Sequence, residues 1–205
     1  MNIVCLDLAG VLVPEIWIEV SKRTGIKELS RTTRDEPDYD KLMQARLALL
    51  ATHGLKLADL QQVIAGMGPM PGAAAFLDQL RREFQVVILS DTFYEFAQPL
   101  MAQLGMPTLF CHRLHTDDAG FVSRYALRMK DQKRHAVEAF RKLNFRVVAA
   151  GDSFNDTTML AAAHAGIFFC PPESIAAQFP QFPVTRDYSA LGMAIRKAMA
   201  DAGAH

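Results

Sequence analysis

Three clusters of polar side chains in this 205-residue chain each follow a run of apolar residues: Asp7-Leu8-Ala9-Gly10-Val11-Leu12, Ser90-Asp91-Thr92 and Gly151-Asp152-Ser153-Phe154-Asn155-Asp156. Lys133 stands at the start of the amphipathic stretch that precedes the third. Gathered in one cleft, Asp7, Asp152 and Asp156 would repel one another and rise in pKa unless a cation stood among them. Taken singly, each cluster has an ordinary structural explanation. Asp7 and Ser90 can cap turns, Lys133 can be a solvated charge, and Gly151-Asp152-Ser153 can be a plain turn. Their joint appearance, each at the end of an apolar run or the start of a helix before one, is not expected by accident.

The elements that must position them follow from the apolar pattern. Short runs at Ile3–Leu6, Val86–Leu89, Val147–Ala150 and Ile167–Cys170, separated by amphipathic stretches, predict buried parallel strands joined by helical crossovers. Pro71–Arg82 puts Phe76, Leu77 and Leu80 on one helical face, and Glu95–Leu104 ends at Gly105, a residue suited to closing a helix. Gln132–Leu143 and Asp156–Ala163 have the same character, and Tyr188–Ala202 predicts a surface helix before an expected disordered end at His205. The sum is an α/β fold, a doubly wound, Rossmann-like parallel sheet. Ligands bind such sheets beyond the carboxyl ends of the strands, where the three clusters fall.

Residues 14–70 are helical in pattern and too long for a plain crossover, so they read as a small inserted helical cap, leaving 1–13 and 71–205 as the core. Cys111–Arg128 alternates β-prone residues around Asp118-Ala119-Gly120 and reads as a hairpin, with a bare extension of the sheet edge as the equal alternative.

Composition excludes several classes of function. Lys plus Arg equals Asp plus Glu at 22 each, so no global field draws the chain to nucleic acid or anionic lipid, and any anionic ligand must be held by local charge. Half the residues are hydrophobic, too many for a disordered chain. Cys5, Cys111 and Cys170 lie in apolar runs, which predicts buried reduced thiols and a cytoplasmic setting. The run from Met1 to Val13 lacks a basic start and is broken by Asp7, fitting neither a signal peptide nor a membrane span. His53, His112, His115, His135 and His164 show no metal-ligand spacing.

The set formed by Asp7 with its Gly-Val-Leu, Ser90, Lys133 and the Gly151–Asp156 loop resembles the four motifs of the haloacid dehalogenase superfamily over nearly the whole chain. Leu89–Phe96, the Gly151–Asp156 loop and the Asp117-Asp118 hairpin look more narrowly like its phosphoserine phosphatases, above all those that also move phosphate from phosphoserine to homoserine. That resemblance implies magnesium held by Asp7, the backbone carbonyl of Ala9, Asp152 and Asp156, an aspartyl-phosphate formed on Asp7, and phosphoryl contacts from Ser90 and Lys133. It implies further contacts to a small phosphorylated amino acid from Asp91, Thr92 and Asn155. Glu15 would meet the substrate ammonium and Arg46 its carboxylate, for which a planar guanidinium offers two parallel hydrogen bonds. An exposed charge on a helix explains Glu15 and Arg46 equally well at this level, and Trp17 reads as packing. The resemblance leaves a homodimer open.

One position departs from that pattern. Relatives carry a second acid two residues after the nucleophile, which protonates the leaving alkoxide and then activates water, and this chain has Ala9. Four readings follow. The chain is a phosphatase or phosphotransferase whose proton comes from Glu15 or the substrate, or an active enzyme whose acid has been replaced. Otherwise it is a phosphonatase using Lys22, Lys27, Lys41 or Lys56 as an imine former, as that branch also reads Asp-x-Ala-Gly, or a non-catalytic binder of a phosphorylated metabolite. The Gly151–Asp156 loop and the segment after Ser90 rank the phosphonatase below the first two readings.

Overall fold

The structure is a computed structural model that describes residues 1–32, 35–36 and 38–201. Ala202 and His205, the predicted end of the last helix and the terminal residue, lie outside the described residues. Each predicted strand forms, β1 (Asn2–Leu6), β2 (Gln85–Phe93) and β5 (Arg146–Gly151) with wider bounds and β6 (Ala165–Phe169) starting earlier and ending before Cys170. They pair in parallel in the order β2-β1-β5-β6, with Val4 lying between Val86 and Val148. The hairpin is also present, as β3 (Thr108–Thr116) and antiparallel β4 (Val122–Ala126). Its first strand begins three residues before the predicted hairpin and pairs in parallel with β2, so the hairpin is at once a hairpin and the sheet edge. A two-residue β7 (Val184–Thr185) closes the other side and completes a seven-stranded sheet.

Alternation along the strands divides the apolar residues between two faces, as a sheet covered on both sides requires. Val4, Leu6, Ile88, Val148 and Ala150 point to one side, against Leu77 of α4 (Ala73–Glu83), Phe96 and Leu100 of α5 (Tyr94–Gln103) and Ile195 of α9 (Tyr188–Ala200). Ile3, Cys5, Val87, Leu89, Val147 and Ala149 face the other, against Val137 of α6 (Gln132–Lys142), Leu160 of α7 (Thr157–Ala162) and Ile175 of α8 (Glu173–Gln178). Leu77 and Ile195 are fully buried, so truncating either to Ala should cost about 2–5 kcal/mol.

Between β1 and α4 the described residues form α1 (Ile16–Thr24), a single 3₁₀ turn at Lys27–Ser30, α2 (Tyr39–Thr52) and α3 (Leu57–Ala65). Met43, Leu47, Leu50, Leu60 and Ile64 join the same apolar cluster as Val4 and Leu6, so these helices pack onto the sheet face and share its core. Polar ties add to this: Gln61 Nε2 donates to the Glu95 carbonyl (2.8 Å), and the Leu57 amide donates to the Gly120 carbonyl (3.0 Å).

One expectation fails. Cys5 and Cys111 are buried, but Cys170 is exposed. Its strand stops at Phe169, and Cys170 turns out of the sheet with a φ of 46°. Among the described residues no helix is long and apolar enough to cross a membrane.

Candidate active site

Beyond β1 the chain must turn at once, because the strand on either side of it, β2 or β5, is reached by a crossover on opposite faces of the sheet. This is the point at which an open α/β sheet leaves a crevice. Here Leu12 and Val13 both donate backbone N–H to the Leu8 carbonyl (2.8 and 3.0 Å), curling residues 8–13 into a tight loop. Gly10 takes a φ of 77° in that loop, and a Cβ there would lie 2.2 Å from Asp152 Oδ2. A glycine is therefore required for the loops after β1 and β5 to meet.

Their meeting brings Asp7, Asp152 and Asp156 together, with one carboxylate oxygen of each within 4.8 Å of the others. Lys133, at the start of α6, reaches this group: Nζ lies 2.8 Å from Asp7 Oδ1, 2.7 Å from Asp156 Oδ1 and 3.7 Å from Asp91 Oδ2. Asp7, Ser90, Lys133 and Asp156 are all buried. Burial and the charges of Asp156 and Asp152 push Asp7 well above the usual carboxylate range, against the pull of Lys133. Burial, Asp156 and Glu15 likewise push Asp152 up to about 7. For Lys133 burial acts to release the proton, but Asp156, Asp7 and Asp91 overcome it and hold the ammonium charged.

Asp156 and Asp152 differ in their partners. The second oxygen of Asp156 accepts the backbone N–H groups of Asp152 and Ser153 (3.0 and 3.1 Å), so both of its oxygens are already held by protein donors. Asp152 Oδ1 is buried and has no hydrogen-bond partner among the described residues. A buried carboxylate oxygen without a donor is costly unless a cation meets it. An orphaned oxygen among crowded carboxylates suits a hard, oxygen-seeking divalent cation.

Of the other predicted residues, Ser90 sits at the cleft, its Oγ accepting the Thr92 amide (3.4 Å). Asn155 donates to Asp91 Oδ2 (3.1 Å). Burial acts to raise the Asp91 pKa, but Lys133 and the donors His112, Asn155 and Gln132 hold that carboxyl far below its usual range. Ala9 is half-buried and bridges to Val13, with no ionisable side chain to offer. Glu15 is exposed at the start of α1, and its charge reaches both Asp152 and Arg46. Arg46 is buried on α2: Nη2 donates to the Arg31 carbonyl (2.6 Å), while Nε has no partner among the described residues. Burial pulls its pKa down to about 10 against the charges of Tyr39 and Glu15.

Three contributions were not legible in the sequence. Trp17, read as packing, also lies under the Arg46 guanidinium at 4.5 Å from ring centre to Cζ. Gln132 is fully buried and donates to the Ser90 carbonyl. His112 is buried beside Asp91. Only the adjacency of Gln132 to Lys133 could have drawn attention to it. The lysines considered as imine formers, Lys22, Lys27, Lys41 and Lys56, are all exposed.

A buried aspartate at the switch point of a doubly wound sheet, paired with a lysine and two further acids, belongs to a recognisable class of enzyme. Residues 1–164 match the haloacid dehalogenase-like hydrolases, and the chain belongs to that family. It is 60% identical over 198 residues to phosphoserine phosphatase ThrH of Pseudomonas aeruginosa, covering 97% of both chains. It is 58% identical to a phosphoserine phosphatase of Pseudomonas syringae pv. tomato, covering 97% of this chain and 84% of the relative. Among solved structures, a phospho-aspartyl intermediate analogue of phosphoserine phosphatase superposes with a TM-score of 0.74 over 92% of this chain and 95% of that one. At 20% identity that likeness speaks to the fold alone.

Proposed function

We propose that the chain transfers the phosphoryl group of phosphoserine, through an aspartyl-phosphate on Asp7, to water or to homoserine. The observation that carries this is the Asp7 carboxylate at the end of β1, held by Lys133 at 2.8 Å and clustered with Asp152 and Asp156, one oxygen of each within 4.8 Å of the others. The names of the 60% and 58% identical relatives support the substrate. Residues 14–70 serve as the cap that supplies specificity.

Magnesium fits the donor set. Asp7, Asp152 and the Ala9 carbonyl would hold it, and when bound it would neutralise carboxylate charge and draw in the phosphate. Asp156 secures Lys133 and the loop after β5 and adds its charge. One ammonium among these buried acids could not by itself offset an incoming phosphate dianion.

In the first step an Asp7 oxygen bonds to phosphorus as the ester bond to the serine oxygen breaks. Ser90 Oγ–H donates to a phosphoryl oxygen and Lys133 stabilises its charge. In the second, the oxygen of water or of homoserine bonds to phosphorus and Asp7 leaves as carboxylate. The departing serine oxygen needs a proton and the incoming hydroxyl must lose one, and Ala9 performs neither transfer. Solvent water must supply the one proton and take up the other, so both steps are slow in this chain. Glu15 receives the substrate ammonium, and Arg46, with its free Nε–H, turns from the Arg31 carbonyl to the carboxylate.

The test is a parallel assay of phosphate release and of transfer to homoserine, on this chain and on Ala9→Glu. The substitution should raise turnover about 10²–10⁴-fold, the usual contribution of a general acid–base. An unchanged rate would refute the role given to position 9. Magnesium-dependent binding of phosphoserine with no turnover in either chain would make this a binder. A borohydride-trapped adduct with phosphonoacetaldehyde would make it a phosphonatase.

A further inference from the structure

Asp91 is a junction. Its Oδ1 lies 3.3 Å from Gln132 Nε2 and 3.6 Å from His112 Nε2, and its Oδ2 lies 3.1 Å from Asn155 Nδ2 and 3.7 Å from Lys133 Nζ. Four segments thus converge on one carboxylate: the end of β2, the middle of β3, the start of α6 and the loop after β5. One of those groups, Lys133, reaches Asp7, and Asn155 belongs to the loop that carries Asp152 and Asp156. The other two, His112 and Gln132, stand behind and are buried.

The ring of His112 is fixed from its far side. The Arg128 amide donates to His112 Nδ1 (3.0 Å), so Nδ1 is an acceptor and the ring proton sits on Nε2, toward Asp91. Gln132 is oriented just as firmly: its Oε1 accepts Arg128 Nη2 (2.6 Å) while its amide donates to the Ser90 carbonyl and to Asp91. Arg128 therefore sets the direction of both donors, with its guanidinium resting on Phe110. A carboxylate beside a buried ammonium would close upon it unless other groups held it back; here Gln132 donates to Asp91 at 3.3 Å and the His112 Nε2 faces it at the longer distance of 3.6 Å.

We infer that His112 and Gln132, acting through Asp91, are positioning residues that hold Lys133 and Asn155 in register with the phosphoryl group. This rests on the phosphoryl transfer proposed above. Without the Nε2–H donor, Asp91 swings toward Lys133 and draws the ammonium away from Asp7 and the phosphate. The substrate amino acid is held elsewhere, by Arg46 and Glu15, so kcat should suffer and KM should not.

The paired variants are His112→Gln, whose amide can reach the Nε2 position, and His112→Asn, whose amide reaches only the Nδ1 position. Serine release from phosphoserine with magnesium should fall about 10–100-fold in kcat for His112→Asn, as expected for a displaced catalytic group, with KM within about threefold of the parent. His112→Gln should recover most of that loss. Equal losses in both variants, or a change confined to KM, would overturn the inference. A second measurement needs no turnover: ¹⁵N spectra of the parent should show His112 protonated on Nε2 and bare on Nδ1, and the reverse tautomer would sink the network. A parent that fails to act on phosphoserine, with the tautomer as expected, would refute the substrate reading and leave the junction standing. The reverse tautomer in an active parent would refute the junction alone.

Discussion

The residues gathered at the strand ends, with Lys133 at the start of α6, and those mounted on the helices between β1 and α4 are built differently. Asp7, Ser90, Lys133 and Asp156 are buried, and Lys133 alone ties three acids together at 2.7–3.7 Å. Arg46 and Glu15 belong to elements joined to the sheet by apolar packing and scattered polar ties, and Arg46 rests on a carbonyl it can relinquish. Strand ends fixed by the hydrogen-bond ladder suit groups that must not move during bond breaking. A guanidinium with a spare donor over an aromatic ring suits a group that must adapt to a ligand. Under the proposed roles, chemistry and specificity would be carried by separate layers, and each should fail in its own way.

Asp7→Asn should have the largest effect, a loss of roughly 10⁴-fold or more in phosphoryl transfer without loss of the fold, read by assay and circular dichroism. Lys133→Met should come next, lowering kcat by about 10²–10³-fold. Because it also strands the Asp7 and Asp156 carboxylates in the interior, urea unfolding should show a cost of about 3–5 kcal/mol. Arg46→Ala should raise KM about 10–100-fold, the worth of a charged hydrogen bond, and leave kcat within a few-fold. Trp17→Leu should shift KM only a few-fold, the scale of one cation–π contact. If Arg46→Ala instead reduced kcat as much as Lys133→Met, the separation of layers would be wrong.

The strand-end layer also carries a pH signature. Asp7 and Asp152 are both raised in the folded protein, Asp152 to about 7, so the metal-free fold binds protons more tightly than the unfolded chain. The contribution of these two groups to stability should be full below about pH 4, near the unfolded carboxylate pKa, and be lost as pH rises through about 7. Lys133, raised, stays charged throughout that window, and Asp91, depressed, loses its contribution only in strong acid. Added magnesium should therefore raise Tm most at pH 8 and progressively less toward pH 5. A magnesium shift in Tm independent of pH would count against the acidic cluster as its site.

Much of the strand-end layer was legible in the sequence because the physics there is local. A buried parallel strand is a short apolar run, and a polar residue ending it is visible by type, which is how Asp7, Ser90 and Asp152 announce themselves. The same rule misled at Cys170, where an apolar residue follows the strand but a φ of 46° turns it outward. His112 and Gln132 were not legible, because their meaning lies in partners distant in the chain: Gln132 reaches Ser90 across 42 residues. The segment containing His112 was readable as a hairpin or an extension of the sheet edge, but its partner strand, β2, was not, and that pairing delivers the ring to Asp91. Trp17 offered only an apolar side chain on a helix until Arg46 was found above it.

The central claim is that Asp7 itself accepts phosphorus. Incubation with radiolabelled phosphoserine and magnesium, acid quench and peptide mapping tests it directly. The account predicts a hydroxylamine-labile label on the peptide containing Asp7, abolished in Asp7→Asn. Phosphate released at a measurable rate with no label on that peptide, or with label on another residue, would contradict it.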